Sequence, residues 1–159
     1  MSFAAATIGS TSSVPRFVVD ASVAVKWSLR DETDSDVADR VLDDFQQGLT
    51  TLIAPNQIRY EVPSAIRNGV RGGRGTAQTG KLAITTFLAL AISTVDDNSL
   101  IEAGYDWALR AGCSLYDGLY VALAESLDCP LIHADRRLRN ALGRGFPHAI
   151  WLNDYVSQG

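Results

Sequence analysis

The chain has 159 residues, of which 47% are hydrophobic and 20% are charged. That length suits one domain with a core of its own, and the composition excludes intrinsic disorder and a long coiled coil. The net charge of −4 argues against a passive nucleic-acid coat, which would be basic, but it is compatible with an acidic cluster that holds divalent cations.

Short apolar runs alternate with amphipathic segments from residue 16 onward. The first predicted strand is the apolar run Phe17–Val19, which ends in Asp20. Ser22 is placed to cap a short helix that continues to Trp27. Apolar spacing predicts further helices over 34–47, 56–70, 81–91, 99–111, 115–127 and 136–142. Apolar runs predict further strands over 51–54, 92–95, 131–134 and 149–152. This alternation is typical of an α/β fold with a parallel sheet covered on both faces.

Two of the predicted helices begin at a capping motif. Ser99 with Glu102 matches a capping box at the start of the helix over 99–111. Ser114 with Asp117 matches the same pattern before the helix over 115–127. Asp117 therefore has a structural explanation that competes with any catalytic one.

Residues 1–15 are small and polar, without a basic segment followed by an apolar one, so we expect a flexible leader rather than a signal peptide. The remaining residues, 16–159, are predicted to form one domain. Cys113 and Cys129 are too few for a disulfide framework and favour a reducing, cytoplasmic compartment. No segment reaches the roughly 20 apolar residues that span a bilayer.

Four acidic residues follow predicted strands or begin predicted helices. Asp20 and Asp135 come directly after strands, Asp117 lies in a first helical turn, and Glu61 lies early in the helix after the second strand. Ligands of open parallel sheets bind beyond the carboxyl ends of the strands, so we expect these acids on one edge. Unpaired, they would repel one another, and a divalent cation removes that conflict. Oxygen ligands suit Mg²⁺ or Mn²⁺, which activate water and stabilise charge on a phosphate.

Each acid also has an ordinary structural interpretation. Asp20 and Asp135 are well placed to cap helices, and Glu61 to lie on a solvated face. A zinc site is a poor alternative, because only His133 and His148 are available and no cysteine pair has ligand spacing.

Two other motifs lack the residues that their chemistry requires. Gly75–Leu82 nearly matches a phosphate-binding loop, but Leu82 stands where Ser or Thr would reach Mg²⁺. Asp20 also suits an aspartyl-phosphate phosphotransferase, a weaker alternative because Ser22 occupies the place of the usual second acid.

A local basic stretch lies in this acidic chain and is open to two interpretations. It is either a solvated loop or a patch that contacts the backbone of RNA. Its members are Arg67, Arg71, Arg74 and Lys81.

Four short sequence motifs follow one another along nearly the whole chain. They are Val18–Ser22, Tyr60–Val62, Leu115–Glu125 and His133–Leu138. Together they resemble the PIN-domain family, and most closely its VapC-like toxin ribonucleases of type II toxin–antitoxin pairs.

The resemblance implies a three-layer α/β/α fold with a central parallel sheet and Mg²⁺- or Mn²⁺-dependent cleavage of RNA. It implies that the catalytic acids are Asp20, Glu61, Asp117 and Asp135. The three aspartates among them would bind the metal, and Ser22 would support the site. It further implies a homodimer and a cognate antitoxin. The alternative function is a catalytically silent PIN-like module that only binds a partner, and the presence of all four acids favours the enzyme.

Overall fold

The computed structural model describes residues 13–159. Positions 1–12 of the predicted leader, which spans 1–15, therefore lie outside the described residues. Residues 13–15 are exposed and belong to no helix or strand, and the first strand begins at Arg16.

Five parallel strands form one sheet in the order β3-β2-β1-β4-β5. They are β1 (Arg16–Val19), β2 (Thr51–Pro55), β3 (Ser93–Val95), β4 (Leu131–His133) and β5 (Ala149–Trp151). The chain adds β2 and β3 on one side of β1, then returns to place β4 and β5 on the other. The strand order thus reverses between β1 and β4, which is where α/β sheets bind their ligands.

Within residues 13–159, seven helices flank the sheet, so the predicted three-layer α/β/α fold is confirmed. They are α1 (Ala21–Ser28), α2 (Ser35–Gln46), α3 (Ile58–Arg71), α4 (Ala77–Ala89), α5 (Ile101–Ala111), α6 (Leu115–Leu127) and α7 (Arg136–Leu142). Helix α1 packs against α2, α3 and α4, whereas α5 pairs with α6, and α6 contacts β1, β2 and β4. In the described part of the chain, no helix is long and apolar enough to cross a membrane.

The core is centred on the two strands at the point of reversal and on α6. Val18 and Val19 of β1 and Leu131 and Ile132 of β4 are fully buried. Helix α6 is buried continuously from Gly118 to Ala124. Because α6 is enclosed along this length, its first turn is held firmly against the carboxyl edge of the sheet.

Local chemistry corrects two predicted helix starts. Helix α4 begins at Ala77 rather than at residue 81, because Thr76 and Thr79 form a capping box. Residues 77–82 of the Gly75–Leu82 motif therefore form the first turns of α4 and not a phosphate-binding loop. Ser99 does not cap α5, since it lies in a 3₁₀ turn over Asp97–Ser99, and α5 starts after Leu100 without a side-chain cap.

A buried carboxylate fastens the C-terminal segment to α2. Asp44 accepts hydrogen bonds from the Tyr155 hydroxyl at 2.7 Å, the Ser157 hydroxyl at 2.8 Å and the Gln158 amide at 2.8 Å. Burial raises the pKa of Asp44, but these hydrogen bonds outweigh burial and hold the pKa below its usual value. The folded protein therefore binds this proton less tightly than the unfolded chain does, and stability is lost as the pH falls.

Asp44→Asn is expected to reduce the free energy of unfolding at pH 7 by about 1–3 kcal/mol, since an amide disrupts a network built around a carboxylate. The difference from wild type should shrink once the pH falls below about 4, where the unfolded carboxyl becomes protonated. Urea unfolding at pH 7 and at pH 3 measures both values, with Asp36→Asn on the exposed face of α2 as the control. An equal difference at both pH values would contradict this role for the carboxylate.

Candidate active site

The ends of β1 and β4 bring two of the predicted acids to the same place. Asp20 directly follows β1, and its amide donates to the Ile132 carbonyl in β4 at 3.0 Å. Asp135 lies two residues beyond the end of β4. The Ser22 hydroxyl accepts a hydrogen bond from the Ala134 amide at 2.9 Å, so it links the two strand ends directly.

Asp20 is buried, with only 5% of its surface exposed. It caps α1 by accepting the Ser22 amide at 2.9 Å, so the prediction of Ser22 as the cap is wrong. Burial raises the pKa of Asp20, hydrogen bonds from Ser22 lower it, and the charges of Asp117 and Asp135 raise it, to about 6. The charged form of Asp20 is therefore less favourable than that of an exposed aspartate, and a nearby cation would offset this difference.

Asp117 and Asp135 also cap the helices that they begin. Asp117 shares a reciprocal capping box with Ser114, whose hydroxyl donates to its Oδ2 at 2.8 Å. Asp135 accepts the Arg137 and Leu138 amides through its Oδ1. Among residues 13–159, no hydrogen bond reaches the other carboxylate oxygen of either acid. The capping role and a ligand role are therefore compatible.

Glu61 extends from α3 into the same region. The hydroxyl of Tyr120, a fully buried residue of α6, donates to its Oε1 at 3.0 Å. Burial and the charge of Asp20 raise the pKa of Glu61, the Tyr120 hydrogen bond lowers it, and the charges of Asp117 and Asp97 raise it, to about 7. Glu61 is half-buried against Tyr120, and the interpretation as a residue on a solvated face is wrong.

The structure adds two residues that the sequence analysis missed. The Asp97 carboxylate accepts the Gln57 amide at 3.1 Å, and the Gln57 side chain donates to the Tyr116 carbonyl at 2.7 Å. Gln57 thereby ties the start of α3 to the start of α6, and so sets Glu61 against Asp117. Asp97 closely follows β3 and meets the same strand-end criterion as the other acids. Gln57 belongs to no recognisable motif.

The candidate metal ligands at this edge are all carboxylate oxygens, which suit a hard divalent cation such as Mg²⁺ or Mn²⁺. The four predicted acids interact electrostatically, because the charges of neighbouring acids contribute to the raised pKa values of Asp20 and Glu61. Within residues 13–159, however, no three Asp, Glu, His or Cys side chains are already gathered closely enough to hold an ion.

The four basic side chains that were predicted to contact RNA fall into two groups. Arg74 is committed to an ion-pair network, since its Nε donates to Asp31 at 2.7 Å and its guanidinium bonds Glu32 at 2.9 Å. The others line an apolar groove of about 270 Å³ between α3 and α4; they are Arg67, Arg71 and Lys81. RNA contact by these three stays a prediction.

Comparison with known proteins gives a consistent result. The model of the PIN domain family matches residues 17–142. Ribonuclease VapC9 of Mycobacterium tuberculosis is 38% identical over 87 residues, which cover 55% of this chain and 67% of that protein. Ribonuclease VapC12 of the same species is 33% identical over 126 residues, covering 79% and 92%. The crystal structure of PAE2754 from Pyrobaculum aerophilum matches 88% of this chain and 85% of that chain, with a TM-score of 0.65 at 21% identity, and so shares the fold.

Proposed function

Because the chain belongs to the PIN-domain family, we propose that it is a Mg²⁺- or Mn²⁺-dependent endoribonuclease and the toxin of a type II toxin–antitoxin pair. One observation carries the proposal: near the point where the strand order reverses, the pKa values of Asp20 and Glu61 are raised partly by the charges of neighbouring acids from other elements. The relatives named as ribonucleases support RNA as the substrate class.

Three aspartates would hold the cation: Asp20, Asp117 and Asp135. Each uses one carboxylate oxygen in a helix cap, which leaves the other oxygen for a ligand role. When bound, a divalent cation supplies positive charge that stabilises the anionic phosphate and lowers the pKa of water. Ser22 keeps β1 and β4 in register at this point through its bond to Ala134.

Glu61 is suited to take part in proton transfer. Its Oε1 is occupied by the Tyr120 hydroxyl, which leaves Oε2 to accept a proton from the attacking water. Burial raises its pKa above the ordinary value for a glutamate, which makes its carboxylate a stronger base. Tyr120 and Gln57 position Glu61 relative to Asp117 and do not themselves contact the reacting atoms in this scheme.

The chain's assembly and location are part of the same proposal. Helix α4 exposes two large apolar side chains, Leu82 and Leu88. An exposed apolar surface of this kind suits a second copy of the chain or a cognate antitoxin. A toxin that cuts cellular RNA acts in the cytoplasm.

Cleavage of labelled single-stranded RNA by the wild-type protein tests the proposal. Fragments should form with Mg²⁺ or Mn²⁺ and should be absent when EDTA replaces the metal. A folded protein that cuts no RNA under either ion would overturn the ribonuclease assignment and favour the catalytically silent binding module.

A further inference from the structure

A second cavity opens between α7 and β5. It has a volume of about 370 Å³, at the lower end of the range for small-ligand sites. We call it the α7–β5 cavity and define it by His133, Arg139, Arg144, Phe146, Trp151 and Asp154. A space of this size suits one nucleotide rather than a folded segment of a partner.

The cavity contains a buried polar group without a partner. His133 is only 1% exposed, and its Nδ1 has no hydrogen-bond partner among residues 13–159. Its ring packs edge-on against Trp151, the residue opposite it in β5, with the centroids 5.6 Å apart. The buried His133 ring therefore forms a rigid wall of the cavity behind Trp151.

The remaining lining combines positive charge with an aromatic surface. The Arg139 guanidinium lies over the Trp151 ring, 4.7 Å from its centroid. Neither Arg139 nor Arg144 forms an ion pair with any residue that the structure describes. With Asp154 as the one acid among the lining residues, this is a cationic site in an acidic chain. Guanidinium groups bind phosphates, and a guanidinium held against an indole offers a base a surface for stacking.

Two residues that line the cavity lie at the same edge of the sheet as the acids. His133 ends β4 two residues before Asp135, and Trp151 ends β5, so both lie at the carboxyl edge of the sheet. The Arg139 amide donates to the Asp135 carbonyl at 2.9 Å, one turn along α7. One helical turn is about 5.4 Å, which is a suitable distance for a neighbouring unit of the same strand.

We propose that the α7–β5 cavity binds one nucleotide of the RNA strand next to the cleaved phosphodiester. Arg139 and Arg144 contact its phosphate, the Arg139–Trp151 pair stacks on its base, and His133 supports Trp151 from behind. This inference rests on the proposed ribonuclease function, because the nucleotide belongs to the strand that the acids cut.

The test measures binding without cleavage. Fluorescence anisotropy follows a labelled single-stranded RNA hexamer titrated with the protein in EDTA, over a series of salt concentrations. Arg110→Gln is the matched control for Arg139→Gln, since Arg110 lies over Trp107 at 4.4 Å on α5, away from the acids. Both changes remove one positive charge and one arginine–tryptophan contact.

Arg139→Gln should weaken RNA binding about tenfold or more, the effect expected for losing one base-stacking contact. It should also reduce the slope of log affinity against log salt by about 0.7 for one lost phosphate contact. Arg110→Gln should change neither value.

Equal effects of the two substitutions would overturn the inference, and so would binding of uridine monophosphate as tight as that of the hexamer, which would indicate a site for a free nucleotide. Either result leaves metal-dependent cleavage by the wild-type protein unaffected. Loss of that cleavage alone would instead remove the proposed function.

Discussion

Asp117→Asn is expected to reduce RNA cleavage about a thousandfold or more while leaving the fold intact. The substitution keeps the shape of the side chain but removes the charge that would hold the cation, and metal stabilisation of a reacting phosphate contributes several kcal/mol. The amide oxygen still accepts from Ser114, so the start of α6 keeps its cap. A cleavage assay beside a urea melt measures both properties.

Ser114→Ala is the matched control, because it breaks the same capping box and leaves the acid in place. It should cost about 1 kcal/mol of stability and leave cleavage close to the wild-type rate. If Asp117→Asn lost only stability and cut RNA as well as wild type, Asp117 would be a capping residue alone.

Gly118→Ala is expected to cost about 3 kcal/mol or more of folding stability. A Cβ at residue 118 would lie well inside contact distance of the Gly104 carbonyl oxygen, where the backbones of α5 and α6 touch. Neither backbone can move aside easily, since α6 is buried from this residue onward. Overpacking of a rigid core costs about 1–3 kcal/mol, and a clash between two backbones belongs at the upper end.

Gly72→Ala provides the comparison for this change. Gly72 follows α3 with a negative φ, and a Cβ there would meet its neighbours at no less than 3.4 Å. Its free energy of unfolding should stay within about 1 kcal/mol of wild type. A Gly118→Ala protein as stable as the Gly72→Ala protein would contradict the close contact of the two helices.

The architecture was predictable because its signals are local. Apolar runs and helical spacing predicted all five strands and all seven helices, and the alternation predicted the parallel sheet. The helix starts that were predicted wrongly depend on single hydrogen bonds. Ser22 looked like a cap, but its hydroxyl bonds Ala134, more than one hundred positions away in sequence, and Asp20 takes the cap.

The candidate site could be predicted only in part. Asp20 and Asp135 follow strands, and that position alone makes them candidates in an α/β sheet. Asp97 meets the same criterion by its place after β3 and could have been included. Gln57 could not, because its role depends on contacts with Tyr116 and with Asp97 that only the fold brings together.

The α7–β5 cavity shows the same limit of sequence reasoning. His133 and Trp151 are separated by 17 intervening residues, and only the pairing of β4 with β5 makes them neighbours. The basic stretch found in the sequence lies elsewhere, and the ion pairs of Arg74 could not be foreseen from its own segment.

Thermal unfolding with and without Mn²⁺ tests the central claim, that the acids at this edge form one cation site. An ion that binds only the native state at one hundred times its dissociation constant stabilises it by about 2.7 kcal/mol. Mn²⁺ should therefore raise the melting temperature of the wild-type protein and of Asp44→Asn, whose buried acid lies elsewhere. Asp20→Asn should be at least as stable as wild type in EDTA, because it removes a buried charge among like charges, and should gain nothing from Mn²⁺. Equal shifts in wild type and Asp20→Asn, or no shift in wild type, would contradict the claim.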